Sequence, residues 1–244
     1  MINTTAQQSK NEIVQRISDI RKRINDAQAD SPHGQAVTLM AVTKTVDADR
    51  INAAIEQGGI RCIGENRVQE LCEKYPYLHL DGVSVHLIGT LQSNKVKYII
   101  DKVDMIQSLD SLSLAKEIDR QAKKHSKVMN VLCQINIGRE ESKSGVDPDK
   151  VEEFLLSIKD LTSIKVQGLM AIPPICEDFS VQKQYFQKIM QIFIDIKGKN
   201  MDNINMHILS FGMSGDYCQA IECGANMIRP GTALFGKRDY NKEN

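Results

Sequence analysis

Lys44 stands where a buried strand ends. Apolar or β-branched residues fill the run from Val37 to Thr43, a composition that suits a strand covered on both faces. An ammonium at the exit of such a strand is costly to bury. It has two fates. Its stem can follow the sheet edge until the charge reaches water. Alternatively, desolvation lowers its pKa, and the neutral amine can attack a carbonyl to form a Schiff base. Complementary chemistry lies far along the chain. Gly212-Met213-Ser214-Gly215 precedes a helix-like segment, so its backbone N–H groups and the Ser214 hydroxyl suit an anion. Gly231-Thr232 offers a second set of backbone and hydroxyl donors. Either loop alone can be plain turn chemistry.

Taken with Lys44, the two loops describe a ligand that carries an aldehyde at one end and a phosphate at the other. Pyridoxal 5′-phosphate fits, and so does a sugar phosphate on a Schiff-base aldolase. Arg229 bears on the choice. A guanidinium only donates hydrogen bonds. Facing a pyridine nitrogen, it keeps that nitrogen unprotonated and weakens the ring as an electron sink. Its other reading is an ordinary ion pair at a strand end.

These residues need elements that bring them together. Strand candidates lie near 37–43, 60–63, 84–89, 104–108, 128–137, 164–172, 205–211 and 226–229, with helical segments between them. Residues 5–27 read as one helix with Ile13, Ile17, Ile20 and Ile24 on a single stripe. Asp47 can cap a helix that Gly58 ends, Asn94 opens another, and Ser214 opens a short one that ends at Gly224. Asp147-Pro148 places proline at a first helical position. Alternating strands and helices imply a parallel sheet with helical crossovers. Eight strands favour a closed (β/α)8 TIM barrel over a doubly wound open sheet, and no G-x-G-x-x-G or Walker A motif supports the open form. Only 15 residues follow Arg229, too few for a full eighth outer helix. The extra N-terminal helix, within residues 1–30, is therefore expected to cover that gap in a single domain spanning 1–244. In a barrel the strand exits converge, and barrels often hold phosphate after strands seven and eight, where the two donor loops fall.

Composition narrows the function. Lys and Arg total 31, as do Asp and Glu, so no basic excess points to nucleic acid. No apolar run is long enough to span a membrane. Met1 to Lys10 is polar and reads as no secretory signal. The six cysteines include no C-x-x-C pair and read as reduced thiols of a cytoplasmic protein, with neither a disulfide frame nor a metal site. His86 reads as a ring neighbour of the ligand or a satisfied core histidine. Lys143 reads as a solvated loop lysine or as a transient cofactor contact.

The chain resembles the pyridoxal phosphate homeostasis proteins, single-domain relatives of the alanine racemase barrel. The matching segments include Ala41-Val42-Thr43-Lys44-Thr45, Gly64-Glu65-Asn66-Arg67-Val68-Gln69-Glu70, and His86-Leu87-Ile88-Gly89 through Gln92-Ser93-Asn94-Lys95. They continue with Glu141-Ser142-Lys143-Ser144-Gly145, Gly168-Leu169-Met170, Ser210-Phe211-Gly212-Met213-Ser214 and Arg229-Pro230-Gly231-Thr232. The resemblance implies a fold-type III barrel that binds pyridoxal 5′-phosphate, with Lys44 as the Schiff-base lysine. Ser214, Gly231 and Thr232 are expected to hold the phosphate, with Ser210 nearby and Met213 among the cofactor-binding residues. Arg229 would face the pyridine nitrogen, and Asn66 and His86 would lie around the ring. Three departures are small: Thr43 where Ser is frequent, Pro230 where Ile is common, and Phe211 for a usual Met.

A racemase of this fold type uses a lysine and an opposed tyrosine from a second domain. None of the tyrosines here, at 75, 77, 98, 185, 217 and 240, falls at a strand exit. The expectation is a carrier or regulator in vitamin B6 homeostasis and amino/keto acid balance, with no catalytic residues of its own. A racemase of low activity and a cofactor-free aldolase are the alternatives. The expected partners are the cofactor itself and, transiently, apo-enzymes that need it, with no nucleic acid or membrane and with the protein a monomer.

Overall fold

A strand that touches two neighbours at once closes this molecule into a ring. The computed structural model describes residues 2–176, 178–199 and 201–236. The long helix α1 (Ile2–Asp30) leads into two short strand segments, β1 (Thr38–Leu39) and β2 (Ala41–Val42). Then follow α2 (Ala48–Glu56), β3 (Cys62–Glu65), α3 (Val68–Lys74), β4 (Ser84–Leu87), β5 (Met105–Leu109), α4 (Leu112–Lys124) and β6 (Met129–Ile135). The chain continues through α5 (Val151–Ile158), β7 (Ile164–Ala171), α6 (Phe179–Lys197), β8 (Ile204–Ser210), α7 (Tyr217–Glu222), β9 (Met227–Ile228) and α8 (Thr232–Phe235).

All neighbouring segments pair in parallel, in the order β1-β9-β8-β7-β6-β5-β4-β3-β2. The two ends of that list are one stretch of chain, parted at Met40. β1 pairs with β9, and the Met40 N–H donates to the Ile228 carbonyl at 3.0 Å. β2 pairs with β3, and the Thr43 N–H donates to the Gly64 carbonyl at 2.9 Å. The expected first strand is therefore present but divided, because its backbone switches partners midway. The result is a (β/α)8 barrel.

Two kinds of core fill it. Inside the barrel, Met40, Val42, Cys62, Ile88 and Met227 form one cluster and Met105, Leu132 and Met170 another, with Ile208 touching both. Methionine adapts its shape to such irregular space. Outside, the helices pack on the sheet through a larger apolar layer. α1 lies against α2, α7 and α8, so it spans the gap beside the last strand. Ile13, Ile17, Ile20 and Ile24 are all buried there, each worth about 1.5–3 kcal/mol relative to exposure. Gly58 permits this fit, since a Cβ there would lie 2.3 Å from the Ile17 Cδ1.

Two helix readings need correction. The segment from Asn94 is a 3-10 helix, Ser93–Tyr98, and not an α-helix. Its bonds reach three residues back, which puts Val96 and Ile99 on one buried side. The helix expected to open at Ser214 begins at Tyr217. The Asp216 carboxylate accepts the Met213 N–H at 2.6 Å, so residues 213–216 form a turn first.

Candidate cofactor site at the barrel mouth

Lys44 leaves the barrel in a constrained turn. It is half-buried, and the next residue, Thr45, has φ 61. A β-branched residue in the left-handed region is strained by about 1–2 kcal/mol. Local bonds hold it. The Thr45 N–H donates to the Glu70 carboxylate, and its hydroxyl donates to the Lys44 carbonyl at 2.7 Å. One residue earlier, the Thr43 carbonyl accepts from Lys74 Nζ at 3.0 Å. The Thr43 hydroxyl donates to Glu65 Oε2 at 3.0 Å. Glu65 is buried, and burial pushes its carboxyl up against the opposing pull of the Lys74 ammonium.

The exits of β8 and β9 meet that strand. The Val42 N–H donates to the Pro230 carbonyl at 3.1 Å, and the Arg229 N–H donates to the Gly212 carbonyl at 2.9 Å. The two donor loops thus lie beside each other and beside the strand that delivers Lys44. The Ser214 hydroxyl oxygen accepts from the N–H groups of both Gly231 and Ala233, at 3.0 Å each. Two backbone donors therefore converge on one oxygen, at the start of α8 and not of α7. Thr232 is the exposed first residue of α8. The Met213 N–H donates to the Asp216 carboxylate at 2.6 Å.

A chain of side-chain hydrogen bonds crosses the barrel interior beneath this mouth. Arg229 Nη1 donates to Ser210 Oγ at 2.7 Å, and Nη2 to the Ala171 carbonyl at 2.8 Å. Ser210 in turn donates to Gln107 Oε1 at 2.8 Å, and Gln107 Nε2 meets His86 Nδ1 at 2.9 Å. His86 Nε2 meets Ser84 Oγ at 2.9 Å. Because Gln107 donates to Nδ1, the ring proton sits on Nε2 and the imidazole is neutral. Burial agrees, pulling the His86 pKa down to about 4 against the attraction of Asp104. Both ring nitrogens are thus hydrogen-bonded within the protein. Arg229 is buried, and desolvation lowers its pKa to about 10, with Asp216 opposing. It stays charged at neutral pH, held by Ser210 and a carbonyl, with no contact ion pair among the described residues.

Two polar atoms near the strand exits have no hydrogen-bond partner among the described residues, Asn66 Oδ1 and Ser108 Oγ. Leaving such groups buried and unpaired costs about 1–3 kcal/mol each. Asn66 is brought in close by Gly89, where a Cβ would lie 2.1 Å from the Asn66 carbonyl oxygen. Unmet polar atoms at the exits of β3 and β5, and backbone N–H groups that converge on Ser214 Oγ after β8 and β9, gather polar groups at one end of the barrel.

The comparisons with known proteins decide the family. The sequence model of the alanine racemase N-terminal domain matches residues 16–239. The pyridoxal phosphate homeostasis protein of Pasteurella multocida is 39% identical over 234 residues, covering 94% of this chain and 99% of that one. The chain belongs to the pyridoxal phosphate homeostasis protein family. Solved structures agree. A protein of unknown function from Bifidobacterium adolescentis matches with TM-score 0.88 and 34% identity, over 93% of this chain and 96% of that one. The structure of PipY of Synechococcus elongatus with pyridoxal phosphate bound matches with TM-score 0.80 and 31% identity, over 92% of this chain and all of that one.

In this family member the sequence located the strand-exit residues but missed those that brace them. Gln107 is the centre of the interior chain. Its only signal was one amide inside Met105-Ile106-Gln107-Ser108-Leu109, an otherwise apolar strand apart from Ser108. Nothing local to Glu70 and Lys74 marks them as partners of the peptide groups on either side of Lys44. Lys143 forms an ion pair with Glu140 in the loop that Asn136 ties down through the Glu140 and Lys143 carbonyls.

Proposed function

We propose that this chain binds pyridoxal 5′-phosphate at the barrel mouth, carries it as a Schiff base on Lys44, and serves vitamin B6 homeostasis without robust catalysis. The observation that carries this reading is the seating of the Ser214 oxygen on two converging backbone N–H groups, in loops bonded to the very strand that ends at Lys44. A phosphate oxygen can take the same donors. When bound, the cofactor supplies an aldehyde that a neutral lysine amine can condense with. The residues do the rest. Asn66 and Ser108 offer polar atoms to the ring. Arg229 presents donors only, so a pyridine nitrogen there stays unprotonated.

That last point separates holding from catalysis. An unprotonated ring stabilises carbanions poorly, and a racemase also needs a second base. Tyr77 and Tyr98 are exposed, and the Tyr217 ring lies under Arg23 of α1, 5.0 Å from its guanidinium carbon. Tyr240 lies outside the described residues. We place the protein in the cytoplasm as a monomer that passes cofactor to apo-enzymes; light scattering of the purified chain tests the monomer. Among the described residues no helix is long and apolar enough to cross a membrane.

The deciding experiment is borohydride reduction of the purified protein after incubation with pyridoxal 5′-phosphate, followed by peptide mapping. The expected label is on Lys44. A label on another side chain, or a colourless protein that takes no label, overturns the reading, and the second result favours the aldolase. D-alanine formation at an ordinary enzyme rate of about 1 s⁻¹ or more would overturn the non-catalytic part.

A further inference from the structure

Both peptide groups that flank Lys44 are held by one helix. Glu70 and Lys74 lie four residues apart on α3, so their side chains share a face. Glu70 accepts the N–H of Thr45, just after Lys44. Lys74 donates to the carbonyl of Thr43, just before it. Lys74 also pairs with Glu70 and lies 3.4 Å from Glu65 Oε2, so the two ends of the clamp are joined. The other Glu65 oxygen accepts the Asn66 N–H at 2.7 Å. One charge cluster thus fixes the turn that aims Lys44 and the residue that presents the unpaired Asn66 oxygen.

We propose that Glu70 and Lys74 are positioning residues for the covalent step: they hold the left-handed turn at Thr45, aim the Lys44 side chain, and so set how fast the amine meets the aldehyde. This rests on Lys44 being the Schiff-base lysine. In that step the neutral nitrogen adds to the aldehyde carbon, both of its protons leave with the carbonyl oxygen as water, and C=N replaces C=O. The reaction needs the nitrogen lone pair lined up with the carbonyl, and a misplacement of about 1 Å can cost about 100-fold. Phosphate capture falls to the loops after β8 and β9, which flank the other edge of the Lys44 strand and do not need the clamp.

The test uses the full chain freed of cofactor. Two quantities are read: the rate of colour formation with pyridoxal 5′-phosphate, and the affinity for pyridoxine 5′-phosphate, which has the same ring and phosphate but an alcohol that cannot condense. Glu70→Ala is expected to slow colour formation about tenfold or more while the alcohol's affinity changes less than about twofold. Glu70→Gln keeps an acceptor for the Thr45 N–H and should fall between, and it serves where Glu70→Ala fails to fold. Adding Thr45→Gly to Glu70→Ala should recover most of the rate, since glycine takes this φ without support. A wild-type rate in Glu70→Ala, or in Glu70→Gln where that stand-in is used, overturns the clamp, as does a parallel loss of rate and alcohol affinity. If borohydride labels Lys44 and the rate is unchanged, only the clamp fails. If the label lies elsewhere, the site reading fails and takes the clamp with it.

Discussion

The two sides of the barrel mouth are built from different materials. Around Lys44 the work falls to long charged side chains: Glu65, Glu70 and Lys74 grip a strained turn. On the adjoining exits of β8 and β9 it falls to backbone N–H groups and one hydroxyl. In the proposed site the difference follows from the task. A covalent bond needs one atom aimed along one line, and aim is set by bracing. A phosphate presents several equivalent oxygens, so a nest of short donors suffices and little aiming is required. The interior chain from Arg229 to Ser84 runs between the two and leaves neither side resting on apolar packing alone.

Mutations that strike one side and spare the other sharpen this contrast. The largest effect is at Lys44. Lys44→Ala should abolish colour and borohydride labelling, yet bind pyridoxine 5′-phosphate within a few-fold of wild type by calorimetry; parallel loss of both would erase the distinction between the sides.

Next comes the support between them. The folded His86 pKa lies near 4, below its ordinary 6.5, so the unfolded chain takes up a proton that the folded chain refuses. Stability is then fully present above about pH 6.5 and is lost as pH falls toward 4, by up to roughly 3 kcal/mol. Urea titrations of wild type and His86→Gln across that range check this: the variant should lose most of the slope.

A smaller effect is expected at the phosphate side. Ser214→Ala should weaken pyridoxal 5′-phosphate and pyridoxine 5′-phosphate alike, by about 1.5–3 kcal/mol, as for a hydrogen bond to a charged group. An effect on the aldehyde alone would contradict the division of labour. The smallest is at Lys143. Lys143→Ala removes a half-exposed ion pair worth about 0–1 kcal/mol and should leave colour and label intact.

The architecture was legible in the sequence because alternation and helix periodicity are local signals. The isoleucine stripe of α1 and the strand-exit positions of Lys44, Ser210 and Arg229 could be read directly. Non-local geometry could not. Nothing in Val37 to Thr43 says that its backbone changes partners at Met40. The Asp216 turn that delays α7 depends on a carboxylate reaching back to Met213. Lys74 and Thr43 meet across 31 residues, and Gln107 and Ser210 across 103. Such encounters leave no spacing pattern. His86 reads from the sequence as a ring neighbour or a satisfied core histidine, and only the fold reveals that both of its nitrogens meet Ser84 and Gln107.

The divided strand has a consequence for how the molecule acquires its ligand. The stretch that bears Lys44 is the seam of the ring, stitched to β9 on one edge and to β3 on the other. In the proposed site, amine and phosphate nest therefore come into register only once the seam is shut. A chain whose last strand has not docked has half a receptor on each lip, and a ligand that bridges the lips works as a fastener, drawing folding and loading into a single equilibrium.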